Sequence, residues 1–365
     1  MIKLAITIGC LEIGGAEIFI LNLLKRLNYQ KYQVLLIVLS KKSGTFIESE
    51  IEKLPIIIRY MNKKEGFGPL ALIKITALLW RFSPDVLHGN VGGMTYLLPY
   101  LFMFRKKIAV HTAHTLANLE YGSFKRKLLG ILYRKGRVIP VAISPYIKKS
   151  IIDVYCLLDN RVELIYNAVD VNRFQAPSRD GKGNIVIGHV GRLEPVKNHR
   201  VIVAVYRNLL KTFPNLRLLL VGDGSLLSFI KEEIKDFGDR AVLIRGTDKP
   251  ENYYAQIDIF LFPSVYEGLP LSLLEAMAAG CAIVASKTGG IPDLVADGAN
   301  GYLIDDCNDI SAFAGAIREL LVNGEKLKAI SKRNIEKAKL YDIGKLVLSY
   351  EKLYERVISD ANGRI

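Results

Sequence analysis

DIFLFPSVYEGLPLSLLEAMAAG, residues 258–280, carries the reading on which the rest of this chain depends. Its first five residues form an apolar run with the character of a buried strand, and Leu273, Leu274, Met277 and Ala278 recur at helical spacing. A strand feeding a helix through a Gly- and Pro-bearing joint is α/β construction. The joint also holds chemistry. Glu267 lies in the loop and Glu275 on the helix, while Gly268 between them lets a ligand approach the backbone. The first-turn amides after Pro270 have no partner within the helix, and the helix dipole makes that end favourable for an anion. Carboxylates on either side can accept hydrogen bonds from sugar hydroxyls. An anion site beside polyol acceptors describes a phosphate joined to a sugar, as in a nucleotide-sugar. A plain strand–loop–helix with a solvated Glu has the same pattern, so the reading needs support from other segments.

That support comes from repetition of the same unit. Strand-like segments fall at 3–8, 34–39, 56–60, 85–87, 108–111, 140–143 and 164–166, then at 185–189, 217–221, 242–244, 258–262, 282–285 and 302–304. Helical patterns separate them, and near-continuous apolar strands imply parallel sheets covered on both faces. At 365 residues the chain is long for one core. The polar stretch 173–184, RFQAPSRDGKGN, has no apolar period and reads as a linker. The expected organisation is a first domain over 1–172, a second over 185–345, and a terminal helix over about 346–365 that returns to the first. Two doubly wound domains of this kind place ligands at the carboxyl ends of their strands, in the cleft where they face one another.

Composition narrows the setting. Half of the residues are hydrophobic and no tract is of low complexity, which fits a folded globular protein. Cys10, Cys156, Cys281 and Cys307 are widely spaced, without CxxC or metal-ligand spacing, as expected for reduced thiols in the cytoplasm. Residues 1–11 read as a first strand rather than a signal peptide. Charge is lopsided: residues 1–175 hold 25 Lys and Arg against 12 Asp and Glu, and the remainder 25 against 24. Much of the excess lies in Arg105-Lys106-Lys107, Lys125-Arg126-Lys127, Arg134-Lys135 and Arg137. The segment 124–134 is basic and amphipathic, and the apolar run 96–104 ends at a basic triplet. Gly92, Gly93 and Pro99 argue against a spanning helix there. The reading is a peripheral protein on an anionic inner leaflet, each basic residue adding about 1 kcal/mol. Nucleic acid is set aside because no stacking-aromatic or groove-helix motif accompanies the charge.

Further candidates fall at strand ends. Gly14-Gly15 precedes a helical run and lets its amides face a phosphate, although an ordinary β–α turn has the same sequence. In Gly191–Asn198, Arg192 can fork onto phosphate oxygens and Lys197 can add a compact charge, neutralising a diphosphate leaving group without a metal. Gly222-Asp223-Gly224 leaves room for a nucleotide, Asp223 serving equally as a helix N-cap, and Gly246-Thr247 can line a base pocket. His88, His111 and His114 close strands of the first domain without metal spacing. His114 is the best placed of them to reach a cleft.

In their order along the chain these segments resemble the family 4 retaining glycosyltransferases of GT-B architecture. The matching residues are Gly14-Gly-Ala-Glu17, Asp85-Val-Leu-His88, Thr112-Ala-His114, Asn167-Ala-Val-Asp170, Gly191-Arg-Leu193 with Lys197-Asn198, Val221-Gly-Asp-Gly224 and the Glu267/Glu275 pair. One departure is Asn90, where relatives often carry a second histidine. The resemblance implies a UDP-sugar or similar donor and no metal. Arg192 and Lys197 would hold the diphosphate, Glu275 the ribose, and Glu267, aided by the amides of Gly268, Leu269 and Leu271, the transferred sugar. Gly15 would approach the phosphates, Gly222 and Gly246 would border the nucleotide, and His114 would bind a hydroxyl of the reacting sugar. His88 and Asn90 are the candidates on the acceptor side. The acceptor implied is a lipid-linked or oligosaccharide glycan, as in capsule, exopolysaccharide or O-antigen assembly. Two rivals share these residues: a GT-B sugar-nucleotide epimerase, which needs no acceptor surface, and a non-catalytic nucleotide-sugar-binding subunit.

Overall fold

The computed structural model describes residues 1–64, 66, 68–176 and 184–363. They form two compact units, Met1–Asn167 with Ile343–Ile365, and Ala168–Asp342.

The first unit is built on a parallel sheet of seven strands: β1 (Ile2–Ile8), β2 (Tyr32–Val38), β3 (Ile57–Tyr60), β4 (Val86–Asn90), β5 (Ala109–Ala113), β6 (Val138–Ala142) and β7 (Glu163–Leu164). Their order is β3-β2-β1-β4-β5-β6-β7. β1 runs in register with β2 from Ile2↔Tyr32 to Ile8↔Val38 and turns its other edge to β4. Leu4, Ile6, Leu36, Leu87 and Val110 are fully buried, which is why these strands read as unbroken apolar runs. Each such side chain contributes about 1.5–3 kcal/mol when removed from water.

The second unit has six parallel strands: β8 (Val186–Val190), β9 (Arg217–Gly222), β10 (Ala241–Arg245), β11 (Ile259–Phe262), β12 (Ala282–Ser286) and β13 (Gly301–Ile304). The order β10-β9-β8-β11-β12-β13 puts β8 beside β11, with Ile187 opposite Ile259. Ile202, Tyr206 and Leu209 from one helix and Phe313, Ile317 and Leu320 from another close a single core around Leu218, Leu220 and Leu261. All thirteen expected strands are present.

The expected linker is a different matter. Residues 177–183 of the 173–184 stretch lie outside the described residues, and 173–176 belong to the second unit. Val171–Phe174 is a short helix capped by the Asp170 side chain. Phe174 is buried with its ring edge-on to Tyr254, and Arg173 donates to the Glu251 carboxylate at 2.8 Å. A stretch with no period of its own is thus ordered by partners some eighty residues downstream. The chain leaves the second unit after Asp342, and the helix Ile343–Asn362 belongs to the first.

That helix explains His88. Tyr354 and Tyr350 on its inner face are fully buried. The Tyr354 hydroxyl lies 2.8 Å from His88 Nδ1, His88 Nε2 lies 2.8 Å from Thr112 Oγ1, and Thr112 Oγ1 lies 2.8 Å from the Tyr350 hydroxyl. Burial pushes the imidazole down to about 3, so it is neutral. With both ring nitrogens engaged and no exposed surface, His88 is a core anchor for the returning helix rather than an acceptor contact. His111 is likewise engaged, by Tyr133 and Glu120.

Candidate active site

In a sheet of this order the chain reverses direction of winding between β8 and β11, and loops from their carboxyl ends diverge to leave a crevice. Two of the candidate loops of the second unit start there. After β8, the loop passes Gly191 and Arg192 and makes one tight turn, Pro195–Lys197, closed by Asn198 at φ 55°. After β11 the loop runs from Pro263 to Pro270. The two are joined directly: the Val265 amide donates to the Val196 carbonyl at 2.8 Å.

The join brings Lys197 to Glu267. Lys197 Nζ donates to Glu267 Oε1 at 2.6 Å, with the side chains 13% and 11% exposed. The ammonium also stands 5.0 Å over the Phe262 ring, a favourable placement for a cation. Behind Glu267 the backbone is held by residues the sequence reading missed. The Gly290 amide donates to the Glu267 carbonyl at 3.1 Å, and Thr288 Oγ1 donates to the Val265 carbonyl at 3.1 Å. Gly289 has φ +56°, and a Cβ there would stand 1.8 Å from the Glu267 carbonyl oxygen. The Gly289-Gly290 pair just past β12 was the available signal.

The helix Leu271–Ala278 starts at Pro270 with no side-chain cap. Among the described residues the amides of Leu271 and Ser272 have no hydrogen-bond acceptor, so this end presents free donors beside the Lys197–Glu267 pair. Gly268 and Leu269 are buried in the same loop. About one turn along, Glu275 Oε2 accepts from the buried Tyr254 hydroxyl at 2.8 Å. Burial lifts its carboxyl from 4.5 to about 7, the Tyr254 hydrogen bond and Arg173 acting the other way.

The Arg192 side chain is exposed and its guanidinium makes no hydrogen bond or ion pair among the described residues, while its carbonyl accepts from the Glu194 amide at 2.9 Å. Gly222 ends β9 so close to the first loop that a Cβ would be 1.9 Å from the Gly191 carbonyl oxygen. Its carbonyl accepts from the Gly246 amide at 3.1 Å, with Gly246 at φ +60° in open space. These glycines stitch the ends of β8, β9 and β10 together. Asp223, open as a contact or a cap, pairs with Arg245 Nε at 2.9 Å and accepts from the Gly224 amide. Beneath the Lys197 loop, the buried His189 donates Nδ1–H to the Leu261 carbonyl at 2.9 Å; burial keeps it neutral.

The first unit has its own reversal point between β1 and β4. The helix Gly15–Arg26 follows β1 with Gly14 as an uncapped N-cap. A Cβ on Gly14 would meet Glu17 Oε2 at 2.4 Å, whereas one on Gly15 would meet nothing within 4 Å. No internal contact therefore demands glycine at position 15. Asn90 ends β4, fully buried, and its Oδ1 lies 3.1 Å from His114 Nε2, just past β5. An amide oxygen only accepts, so Nε2 carries the hydrogen and Nδ1 keeps its lone pair. Burial pushes His114 down to about 3. The ring packs edge-on against Phe19 at 5.0 Å. A neutral imidazole with an available Nδ1 can accept from a hydroxyl.

Among the described residues no group of three His, Cys, Asp or Glu side chains is disposed to hold a metal ion. No helix among them is long and apolar enough to cross a membrane.

Two family models cover this chain in tandem: "Glycosyltransferase Family 4" over residues 13–173 and "Glycosyl transferases group 1" over 170–337. The chain belongs to glycosyltransferase family 4. This glycosyltransferase is 26% identical over 362 residues, 94% of the chain and 96% of the relative, to a Campylobacter jejuni enzyme named N-acetylgalactosamine-N,N'-diacetylbacillosaminyl-diphospho-undecaprenol 4-alpha-N-acetylgalactosaminyltransferase. It is 26% identical to an Escherichia coli UDP-Gal:alpha-D-GlcNAc-diphosphoundecaprenol alpha-1,3-galactosyltransferase, covering 72% of the chain and 73% of that protein. Among solved structures, Anabaena HepE, determined with UDP and glucose, superposes with a TM-score of 0.82 at 19% identity, over 97% of this chain and 100% of that one. A Rickettsia africae glycosyltransferase gives 0.83 at 17% identity, over 98% of each. The fold is GT-B, with two Rossmann-like parallel-sheet domains, and the protein is a glycosyltransferase enzyme.

Proposed function

We propose that this glycosyltransferase moves a hexosyl or N-acetylhexosaminyl unit from a nucleotide-diphosphate sugar, a UDP-sugar being expected, to a lipid-linked or oligosaccharide acceptor, with retention of configuration and without a metal. The observation that carries this reading is the Lys197–Glu267 pair at the uncapped start of the helix Leu271–Ala278. An incoming diphosphate takes the ammonium, the free amides and Arg192. Glu267 is then released to accept from hydroxyls of the transferred sugar. Charge separates as the glycosidic C–O bond stretches, and the cations meet it at the leaving phosphate, where stabilisation lowers the barrier. The acceptor hydroxyl attacks from the face the diphosphate leaves, and the phosphate oxygen takes its proton. Ionised Glu275 accepts from the ribose, and His114 Nδ1 accepts from a sugar hydroxyl.

The acceptor reading draws on the two diphospho-undecaprenol glycosyltransferases among its relatives and on the cationic first half of the chain. It implies work at the cytoplasmic face of an anionic membrane, in capsule, exopolysaccharide or O-antigen-type assembly. The test is a panel of labelled nucleotide-sugars incubated with membrane extracts, followed by mass spectrometry and NMR of products. Transfer with an α-configured donor giving an α-linkage supports the reading. Isomerised donor, an inverted linkage, or binding without turnover across the panel overturns it.

A further inference from the structure

The helix Pro69–Phe82 in the first unit has two apolar faces. Ala71, Ile75 and Leu79 are buried against the core. Leu70, Ile73 and Trp80 point the other way, 72%, 67% and 65% exposed, and with Ala77 they repeat at the three- and four-residue spacing of one stripe. A surface helix normally turns a polar face outward; this one turns a second apolar stripe outward, with Lys74 and Arg81 beside it. Alongside lies the helix Met94–Met103, whose last turn exposes Phe102 and Met103. A groove of about 420 Å³ runs between the two, lined by Ile73, Ala77, Trp80, Pro99 and Met103 among others. Contiguous exposed apolar surface of this kind marks a binding face.

Its rim names the occupant. Lys74 and Arg81 on the first helix and Arg105 and Lys106 beyond the second are all exposed. Asp85, the sole carboxylate of the sequence between positions 66 and 119, stands 3.9 Å from Lys107. Apolar surface with a cationic border, and a tryptophan at its edge, is the composition that sits at the headgroup level of an anionic bilayer. The basic helix Ser123–Arg134, the other candidate, uses Leu129, Leu132 and Tyr133 in the core, and of its large apolar residues exposes Phe124 and Ile131 alone.

We propose that the face formed by Pro69–Phe82 and Met94–Met103 docks into an anionic phospholipid leaflet, Trp80 lying at the interface and Ile73, Phe102 and Met103 entering the acyl boundary. The proposal rests on the membrane reading of the proposed function and assigns it a surface. Basic residues outside the apolar face strengthen the approach; the groove supplies the insertion.

Trp80 is the chain's single tryptophan, so its emission reports on this face alone. The full-length protein is mixed with vesicles of phosphatidylglycerol and phosphatidylcholine, or of phosphatidylcholine only, with sedimentation and fluorescence followed together. The expected result is co-sedimentation with anionic vesicles, a blue shift of Trp80, and quenching by brominated acyl chains. Ile73→Glu with Met103→Glu should weaken vesicle partition by about tenfold or more, as should Lys74, Arg81, Arg105 and Lys106→Gln together, on the scale expected of several interfacial groups. Both variants should keep wild-type melting temperature and UDP binding, because every altered residue is exposed. Lys125, Arg126 and Lys127→Gln should retain the blue shift. Co-sedimentation with unmoved Trp80 emission would refute this face while leaving membrane association standing. Absence of co-sedimentation with any anionic vesicle would refute both. A lipid-free blue shift that grows with protein concentration and vanishes in Ile73→Glu would assign the face to a second copy of the chain and overturn the proposal.

Discussion

Glu267→Gln separates the two jobs assigned to the crevice beside β11, because it preserves shape while removing the charge that holds Lys197 at 2.6 Å. A charge-assisted hydrogen bond contributes about 1.5–3 kcal/mol, and losing one partner of a more deeply buried pair costs more. With the side chains 13% and 11% exposed, the loss to the ligand-free protein should be about 2 kcal/mol. For a unit the size of Ala168–Asp342 that lowers the melting temperature by about 4–8 °C. Nucleotide binding should move in the opposite direction. In the wild type a diphosphate must draw Lys197 away from its carboxylate; in the Gln variant that competitor is gone. UDP should therefore bind more tightly, by up to about tenfold, or 1.4 kcal/mol. Turnover should fall by at least about 100-fold, some 2.7 kcal/mol, because the transferred sugar loses its charged acceptor. Calorimetric titration with UDP and product-release kinetics at saturating donor measure the two effects. Weaker UDP binding with unchanged kcat would refute the assignment of Lys197 to phosphate and of Glu267 to sugar.

Gly15→Ala and Gly289→Ala should part company: the first leaves melting unchanged, since a Cβ meets nothing within 4 Å, but slows turnover if phosphate approaches there. The second costs about 2–3 kcal/mol from strain against the Glu267 carbonyl. Calorimetry and rate measurements on both distinguish them, and a fully active Gly15→Ala removes Gly15 from the site. Glu275 predicts a pH dependence. Its folded value near 7 lies above the ordinary 4.5, so its stabilising neutral form is fully present below about 4.5 and is lost as pH rises through about 7. Since ribose contact needs the ionised form, donor KM should fall between about pH 6 and 8, and Glu275→Gln should flatten both trends; a flat wild-type KM contradicts this. Finally, His114 is neutral across that range, so kcat at saturating donor should show no acid limb from it. Asn90→Asp should raise its value by about 1–3 pH units and create one at more acidic pH, about 4–6; a wild-type limb abolished by His114→Gln would disprove the neutral assignment.

Much of this architecture is legible in the chain read residue by residue. Apolar runs such as 258–262 and 282–285 identify strands because burial on both faces is a local demand, met by consecutive side chains. Helix starts, glycine turns and carboxylates at strand ends are local as well, so the candidate loops could be found one at a time. Asn90 was legible as a departure from its relatives and as an acceptor-side candidate, but its hold on His114 was not. The fully buried His88 pairs with Tyr354, 266 residues away, and no local pattern announces such a partner. The same holds for the supposed linker, whose Phe174 packs on Tyr254.

What the amino-acid order determined alone was the alternation of strands and helices, the parallel sheets that alternation requires, and the family. Which loops meet was decided by sheet order. β8 and β11 are far apart in the chain but adjacent in the sheet, and only that pairing sets Lys197 against Glu267 and Val265 against Val196. Tertiary structure likewise decided which face of Pro69–Phe82 enters the core and which remains outside, because both carry apolar periodicity and periodicity alone does not say what covers them.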